Sequence, residues 1–268
     1  MAATDVVTRR PLLAPRQQVA AIRLAIIAVA LIGWQGLALS GLLYQDVVPP
    51  LQAIGAALVA LLTDPGFYAD LWVTLYETLL ALVIGGGIGL LVGVALGGSR
   101  FTGEAFEPYL YYLGPTPKII FFPVLIMWFG VGPGSKVAMG ALSSFFPVAL
   151  SVAVGMRAIP AILIRVGQSF RAGKGQMLTK IYLPAMRAPV LNGFRLGFGI
   201  ALIGVLLAET KLSNQGLGFQ VIRNYQHFDM PAMYALLIAI FALSILANAA
   251  ISALAGRDAG PARPAVSN

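Results

Sequence analysis

Six apolar blocks, each long enough to cross a lipid bilayer, constrain the fold of this chain more than any other feature. A helix needs about 20 apolar residues to span a hydrocarbon layer of about 30 Å. Only 10% of the 268 residues are Asp, Glu, Lys or Arg, against about 25% in a soluble domain. The sequence therefore predicts an all-α, polytopic membrane protein with about six transmembrane helices. The blocks are Leu24–Leu43, Leu71–Leu96, Leu110–Phe129, Val137–Met156, Val190–Ala208 and Met233–Leu254.

Two apolar segments depart from a simple span. Pro115, Pro117 and Pro123 interrupt the third block, so we expect it to be kinked or partly broken. The segment Leu51–Leu62 is apolar but too short to cross the membrane, and its large side chains fall on one helical face. It is predicted to be an interfacial helix.

The polar ends of the chain are expected to lie outside a transmembrane domain of residues 24–255. Residues 1–23 and 256–268 are predicted to be tails, disordered over residues 1–19 and from 256 onward, because they are polar or rich in Pro and Ala. Arg16 and Arg23 precede an apolar run that ends in Ala38-Leu39-Ser40, a pattern seen in cleaved signal peptides. The run is longer than most signal cores, which favours a retained first span.

Basic residues predict the orientation. With six spans and an internal N-terminus, 15 of the 18 basic residues face the cytoplasm and only Lys136, Lys211 and Arg223 do not. Both termini and residues 157–188 are therefore expected to be cytoplasmic. The net charge of +8 is mostly a topology signal, and it does not indicate nucleic-acid binding.

Two patterns inside the blocks indicate close helix packing and buried charge. Gly85, Gly89, Gly93 and Gly97 recur at every fourth position, which lets two helix backbones approach closely. Glu77 and Glu209 are functional-site candidates because a carboxylate in lipid is costly unless it is paired or hydrated. A structural ion pair or hydrogen bond is the expected role of Glu77. A proton relay would require further acids at the same depth, and the other spans offer none.

The loop of residues 157–188 carries the most information about function. Its six basic residues are accompanied by no acidic residue, and Ile162, Val166 and Phe170 recur at every fourth position. Two short amphipathic helices, joined by a turn at Gly173-Lys174-Gly175 and ended by Leu183-Pro184, are predicted. Apolar side chains on such a projection require a partner protein or lipid.

The chain lacks the residues that several kinds of metal, nucleotide-binding and catalytic sites require. The chain has no cysteine and one histidine, His227, which leaves Cys-based and His-based metal sites poorly supplied. Gly175 follows Gly173-Lys174 where a phosphate-binding loop requires Ser or Thr. We therefore expect neither an enzyme nor a cofactor on this chain.

The segment from Arg165 to Pro184 resembles the cytoplasmic EAA loop of permease subunits of binding-protein-dependent ABC importers. Pro115-Thr-Pro-Lys118, Phe122 to Gly130, Ser144 to Pro147, Ala208-Glu209 and Gly216 to Phe219 are similar to segments of the nitrate/sulfonate/taurine branch of that family. The resemblance covers about residues 48–254 and implies a type I importer permease in a bacterial inner membrane.

The resemblance implies partners and sites. Arg165, Arg171, Gly173, Lys174 and Gly175 would contact a separate ATPase, which would carry ATP and Mg. A periplasmic or lipoprotein solute-binding protein and a second permease copy would complete the importer. Residues expected near the pathway or outer gate are Glu209, Trp128, Phe145 and Phe146.

Three departures from the family pattern stand out. Aligned on Leu183-Pro184, the Glu of the EAA motif falls on Arg165 and its following Gly on Arg171, and relatives commonly carry Arg at the position of Glu77. This subunit is thus expected to pair with a second, non-identical permease that carries a more typical loop, or to meet an ATPase with an acidic groove. A secondary transporter or channel without an ATPase, and a scaffold with a basic anchor, remain alternatives. Nitrate, a sulfonate, an aromatic acid and a thiamine precursor all remain open as solutes.

Overall fold

The structure, a computed structural model, describes residues 15–42 and 47–256, and every regular element in that part of the chain is a helix. Five of these helices, α1, α3, α6, α8 and α10, are long and apolar enough to cross a membrane, and the bent pair α4 and α5 provides a sixth span if counted as one. The predicted all-α architecture with about six spans is confirmed. The helices are α1 (Pro15–Leu39), α2 (Leu51–Thr63), α3 (Pro65–Gly98), α4 (Arg100–Leu113), α5 (Lys118–Phe129), α6 (Pro133–Arg157), α7 (Ala161–Ser169), α8 (Lys174–Lys211), α9 (Leu217–Gln226) and α10 (Met230–Gly256).

The span helices begin earlier than the apolar blocks do, and α1 and α3 show this clearly. α1 starts at Pro15, so the last part of the predicted N-terminal tail is helical, while residues 1–14 and 257–268 lie outside the described residues. α3 starts at Pro65, because the Asp64 side chain accepts a hydrogen bond from Gly66 N at 2.9 Å and caps the first turn.

The third apolar block is broken. α4 and α5 meet at an angle of 89°, as expected from the prolines, which cannot donate a backbone hydrogen bond and disfavour a helical residue before them. The Lys118 ammonium donates to the carbonyl oxygen of Gly114 at the end of α4, where a cation is favoured by the helix dipole. The broken alternative is therefore the correct one.

The glycines of α3 let it lie directly against the backbone of α6. A Cβ added at Gly89 would lie 2.7 Å from the carbonyl oxygen of Phe145, and one added at Gly93 would lie 2.6 Å from that of Ala149. Gly85 and Gly97 face α6 in the same way. The predicted close packing along this stripe is confirmed.

α6 also contacts α8 through glycines. A Cβ at Gly197 would lie 2.8 Å from Val148 Cγ2, and a Cβ at Gly155 would lie 2.2 Å from the Pro189 ring. Val148 and Ala149 are fully buried. α6 is thus the central helix, with α3 and α8 packed on two of its faces.

α1 and α2 lie at the periphery. The membrane-crossing part of α1 is unburied, and its described contacts include a hydrogen bond from Trp34 Nε1 to Pro49 O at 3.0 Å and an edge contact with the Tyr234 ring at 5.1 Å. α2 packs along α10 and buries Ile54. Its length of 13 residues agrees with a helix that does not span, and its interfacial position stays a prediction.

Candidate functional sites

The first candidate site is the basic loop of residues 157–188, which we call the basic elbow. One side of the elbow packs against the helix bundle. Ile159 and Met186 are buried in the same apolar cluster as Val148 of α6. A Cβ at Gly167 would lie 2.5 Å from Met177 Sδ, so α7 lies close against the start of α8. The elbow is therefore held to both α6 and α8.

The opposite side of α7 is uncovered. Ile162, Val166 and Phe170 are 63%, 45% and 83% exposed, and Arg165 and Arg171 are exposed beside them. The three apolar residues, which recur at every fourth position, thus form one surface. We call this surface the elbow face and define it by Ile162, Val166 and Phe170. Apolar side chains that stand free among cations outside a span are typical of a protein contact.

The turn after α7 places an arginine where a glycine is normal. Ala172 N donates to Gly167 O and Arg171 N donates to Gln168 O, both at 2.9 Å, which is the Schellman pattern that ends many helices. Its left-handed position falls on Arg171, with φ of 54°. A side chain at this φ is strained by about 1–2 kcal/mol.

Two predictions about the elbow are wrong. The turn occupies residues 170–173, and Lys174 and Gly175 already belong to the next helix. That helix does not end at Leu183-Pro184 but continues to Lys211, because the residues before it, Leu178–Tyr182, form a wide π turn that accommodates a residue without an N–H.

We expect Arg171→Gly to stabilise the isolated protein. The change removes the left-handed strain, and the greater freedom of glycine in the unfolded chain offsets part of the gain, leaving about 0.5–1 kcal/mol. Thermal unfolding of the purified protein should show a rise of about 2 °C. Arg165→Gly, the same exchange inside α7, should lower stability by about 1 kcal/mol; a fall of similar size in both variants would contradict the assigned turn.

The second candidate site is a set of polar side chains at the other end of the bundle. Asp70, Thr74 and Glu77 lie on one face of α3, at the spacing of one helical stripe. Thr74 contacts Glu209 of α8, and Glu77 lies beside Lys136 of α6. We call these five residues the buried polar cluster.

Glu209 joins three helices through this cluster. Its carboxylate is fully buried and accepts hydrogen bonds from Thr74 Oγ1 and from Gly218 N, each at 2.7 Å. Thr74 Oγ1 in turn accepts from Leu217 N at 2.9 Å. Glu209 thereby fixes the end of α8 to α3 and to the start of α9.

Asp70 also binds the residues at the start of α9. Its carboxylate accepts from Gly216 N at 2.7 Å and from Gln220 Nε2. Gly216 has φ of +100°, and a Cβ there would lie 2.3 Å from Glu209 Oε1. Glycine is therefore required at this position both by its backbone conformation and by the approach of the carboxylate.

Glu77 forms the ion pair that its burial predicts. Its Oε1 lies 3.7 Å from Lys136 Nζ, and both side chains are almost completely buried. Glu209 is also close enough to interact with Glu77 and Lys136. The expectation that no other acid lies at the depth of Glu77 is wrong, because the end of α8 converges on the middle of α3.

The other predicted pathway residues lie apart from the cluster. The rings of Phe145 and Phe146 form an edge contact at 5.0 Å, and Lys118 Nζ lies 4.8 Å from the Phe146 ring. Trp128 is 73% exposed on α5. The structure thus brings Phe145 and Phe146 together but gives no contact that joins them to Trp128 or Glu209 within the described residues.

Sequence reasoning missed Asp70, Thr74 and Lys136 as members of a site. The polar stripe on an otherwise apolar helix was the available signal for the first two. Among residues 15–42 and 47–256, no group of three or more His, Asp or Glu side chains is arranged to hold a metal.

Comparisons with known proteins agree on the family. Residues 85–257 match the model of the binding-protein-dependent transport system inner membrane component. The chain is 31% identical over 216 residues to SsuC of Bacillus subtilis, an aliphatic sulfonates transport permease protein, covering 81% of this chain and 78% of that one. It is 32% identical over 200 residues to the taurine transport system permease protein TauC of Escherichia coli, covering 73% of each.

A solved structure shows the same fold. The MetNI methionine ABC transporter, in an inward-facing conformation, matches with a TM-score of 0.63 at 19% identity, covering 74% of this chain and all of that one. The bundle of five to six candidate spans agrees with the family match. This chain therefore belongs to the binding-protein-dependent inner membrane components, the membrane-spanning permease subunits of ABC importers.

Proposed function

We propose that this permease imports a small sulfonate-type organic anion and is driven by a separate ATPase that contacts the basic elbow. The aliphatic-sulfonate and taurine permeases among its relatives support the solute class. A solute-binding protein would deliver the anion on the periplasmic side of an inner membrane. The elbow and both termini would be cytoplasmic, as the distribution of basic residues predicts.

The observation that carries the proposal is the uncovered elbow face on a rigid support. Ile162, Val166 and Phe170 are exposed, while the other side of α7 is fixed to α6 and α8. A protein that binds this face and moves it must also move α6 and α8, because packed elements shift as rigid bodies.

The charge of the elbow indicates the chemistry of its partner. Residues 157–188 contain six basic residues and no acidic residue, so an ATPase groove with acidic side chains would complement them. A second permease copy, identical or not, would complete the pathway. Arg165, Arg171, Gly173, Lys174 and Gly175 are the proposed contact residues, and Glu209, Trp128, Phe145 and Phe146 stay proposals for the pathway or gate.

Gly173→Trp tests the ATPase contact. Within the described structure, a Cβ at Gly173 meets nothing within 4 Å, so the change should leave the fold of the permease intact. A large ring in the turn should still block docking, and we expect at least a tenfold loss of copurified ATPase and of solute-stimulated ATP hydrolysis.

Gly55→Trp is the matched control. Gly55 is equally open but lies on α2, at a position predicted to face the other side of the membrane. ATPase copurification should be unchanged in this variant. Normal copurification with Gly173→Trp, or solute uptake in cells that lack any ATPase partner, would contradict the proposal and favour a secondary transporter or channel.

A further inference from the structure

Two adjoining cavities beside α8 have positively charged walls. The first, which we call the Arg195 groove, has a volume of about 700 Å³, lies between α8 and α10, and is lined by Arg195, Asn192 and Asn248 among others. The second, the Lys118 cavity, has a volume of about 320 Å³ and lies between the break of the third apolar block and α6. Ile200 of α8 lines both cavities. Among the described residues, neither wall contains Asp or Glu.

Both cations lie within segments that are apolar enough to cross the membrane. Lys118 is near the middle of the block Leu110–Phe129. Ile200, which lines the same cavity, is near the middle of Val190–Ala208. Arg195 lies five residues before Ile200 on α8, about 7.5 Å closer to the basic elbow. A charge at such a depth is costly unless it faces water or a counter-charge, and it often marks the path of a solute.

Arg195 has no counter-charge within the described residues. Its side chain is exposed, and it takes part in no hydrogen bond or ion pair in that part of the chain. Asn192, Ser244 and Asn248 line the same groove and carry amide N–H or hydroxyl donors. A guanidinium group with further donors beside it is suited to bind an anion.

Lys118 also lacks a negatively charged partner. Its ammonium group donates to the carbonyl oxygens of Gly114 and Thr116 and lies 4.8 Å from the centre of the Phe146 ring. These groups are uncharged, and no carboxylate pairs with Lys118 in the described structure. Because Lys118 is only half-buried, an anion in the cavity could approach it.

We propose that Arg195 and Lys118 bind the transported organic anion as it passes along α8. The planar guanidinium of Arg195 can donate two parallel N–H groups to two sulfonate oxygens. Leu196, Ile203 and Phe241 line the same groove and would cover the carbon chain of the anion. The solute class rests on the proposed function, to which this inference adds the residues that hold the solute.

Thermal unfolding of the purified permease in neutral detergent, with sodium butanesulfonate as the probe, tests the site. We expect a concentration-dependent rise in Tm that sodium chloride and butanol do not reproduce, because a ligand that binds the folded state stabilises it. Sodium methanesulfonate, which lacks most of the carbon chain, should bind more weakly. No sulfonate-specific shift in the unaltered protein would overturn the proposal.

Substitutions of the two cations identify the site. In Arg195→Gln the apparent affinity for butanesulfonate should fall at least about tenfold, the size of one charge-assisted hydrogen bond, and Arg195→Lys should be intermediate because it keeps the charge. Arg195 is exposed, so these variants should fold. Unchanged affinity in Arg195→Gln would overturn the proposal, and normal affinity in Lys118→Met would overturn the part assigned to Lys118.

Arg100→Gln is the matched control for loss of a cation. Arg100 is exposed and pairs with Glu104, and it lines neither cavity. This variant should bind butanesulfonate as the unaltered protein does. An equal loss of affinity in Arg100→Gln and Arg195→Gln would show a general effect of net charge and would overturn the assigned site.

Two comparisons identify the source of the anion and the part of the argument that fails. A Tm rise with phosphatidylglycerol but none with butanesulfonate would assign the groove to an anionic lipid and overturn the proposal. In the assembled importer, sulfonate-stimulated ATP hydrolysis with an unchanged half-saturating concentration in Arg195→Gln would overturn this inference and leave the proposed function intact. Arg195-dependent binding of butanesulfonate without stimulated hydrolysis would count against the proposed function alone.

Discussion

Gly93→Leu is expected to destabilise the folded bundle strongly, because it pushes α3 away from α6. Even a Cβ at this position would lie 2.6 Å from the carbonyl oxygen of Ala149 and 2.7 Å from Val152 Cβ, so the backbones must move apart. Both neighbours are fully buried and cannot rotate away. We expect a loss of at least about 3 kcal/mol in unfolding free energy, at the upper end of overpacking effects.

Reversible unfolding in mixed detergent, together with the fraction of monodisperse protein, would measure this loss. Gly87→Leu is the control on the same helix, since a Cβ at Gly87 meets nothing within 4 Å among the described residues. It should change the unfolding free energy by less than about 1 kcal/mol. Equal stability of the two leucine variants would refute the backbone contact between α3 and α6.

Glu209→Ala should produce the second large effect, by releasing α9 from the bundle. The change removes the acceptor for Thr74 Oγ1 and Gly218 N, and each buried donor left without an acceptor costs about 1–3 kcal/mol. We expect the unfolding free energy to fall by about 3 kcal/mol or more. Amide hydrogen exchange should accelerate across Leu217–Gln226, because the turn that precedes α9 loses its contact with α8.

Thr210→Ala provides a neighbouring control. Thr210 is half-buried, and in the described part of the chain its hydroxyl donates to Leu207 O of the same helix, at 2.8 Å. Its removal should shift stability by less than about 0.5 kcal/mol and leave exchange in α9 unchanged. If Glu209→Ala changed neither quantity more than Thr210→Ala does, Glu209 would not be the residue that fixes α9.

The sequence predicts those parts of the fold that depend on local composition. The length of the apolar segments identifies the spans. The prolines at 115, 117 and 123 predict the break between α4 and α5. Glycine at every fourth position predicts the contact of α3 with α6. Each of these signals acts within one helix or between two helix faces. They are therefore visible without knowing how the chain is arranged in space.

The candidate sites were less accessible to such reasoning. Glu77, Glu209 and Lys136 are more than fifty residues apart in sequence, and only the crossing of α3, α6 and α8 brings them together. The continuation of α8 through Pro184 depends on a π turn, which proline-based rules do not anticipate. The position of Arg171 was predicted from the family pattern, but its left-handed backbone required the structure.

The central place of α6 has a consequence for biosynthesis. α6 ends at Arg157, whereas α8, which covers its second face, is complete only at Lys211. While the ribosome is adding the intervening residues, Gly155 and Val148 of α6 lack the neighbours that bury them in the finished protein. Insertion into the bilayer must therefore precede assembly, and a nascent chain that stops before α8 presents an incompletely covered helix to membrane quality control.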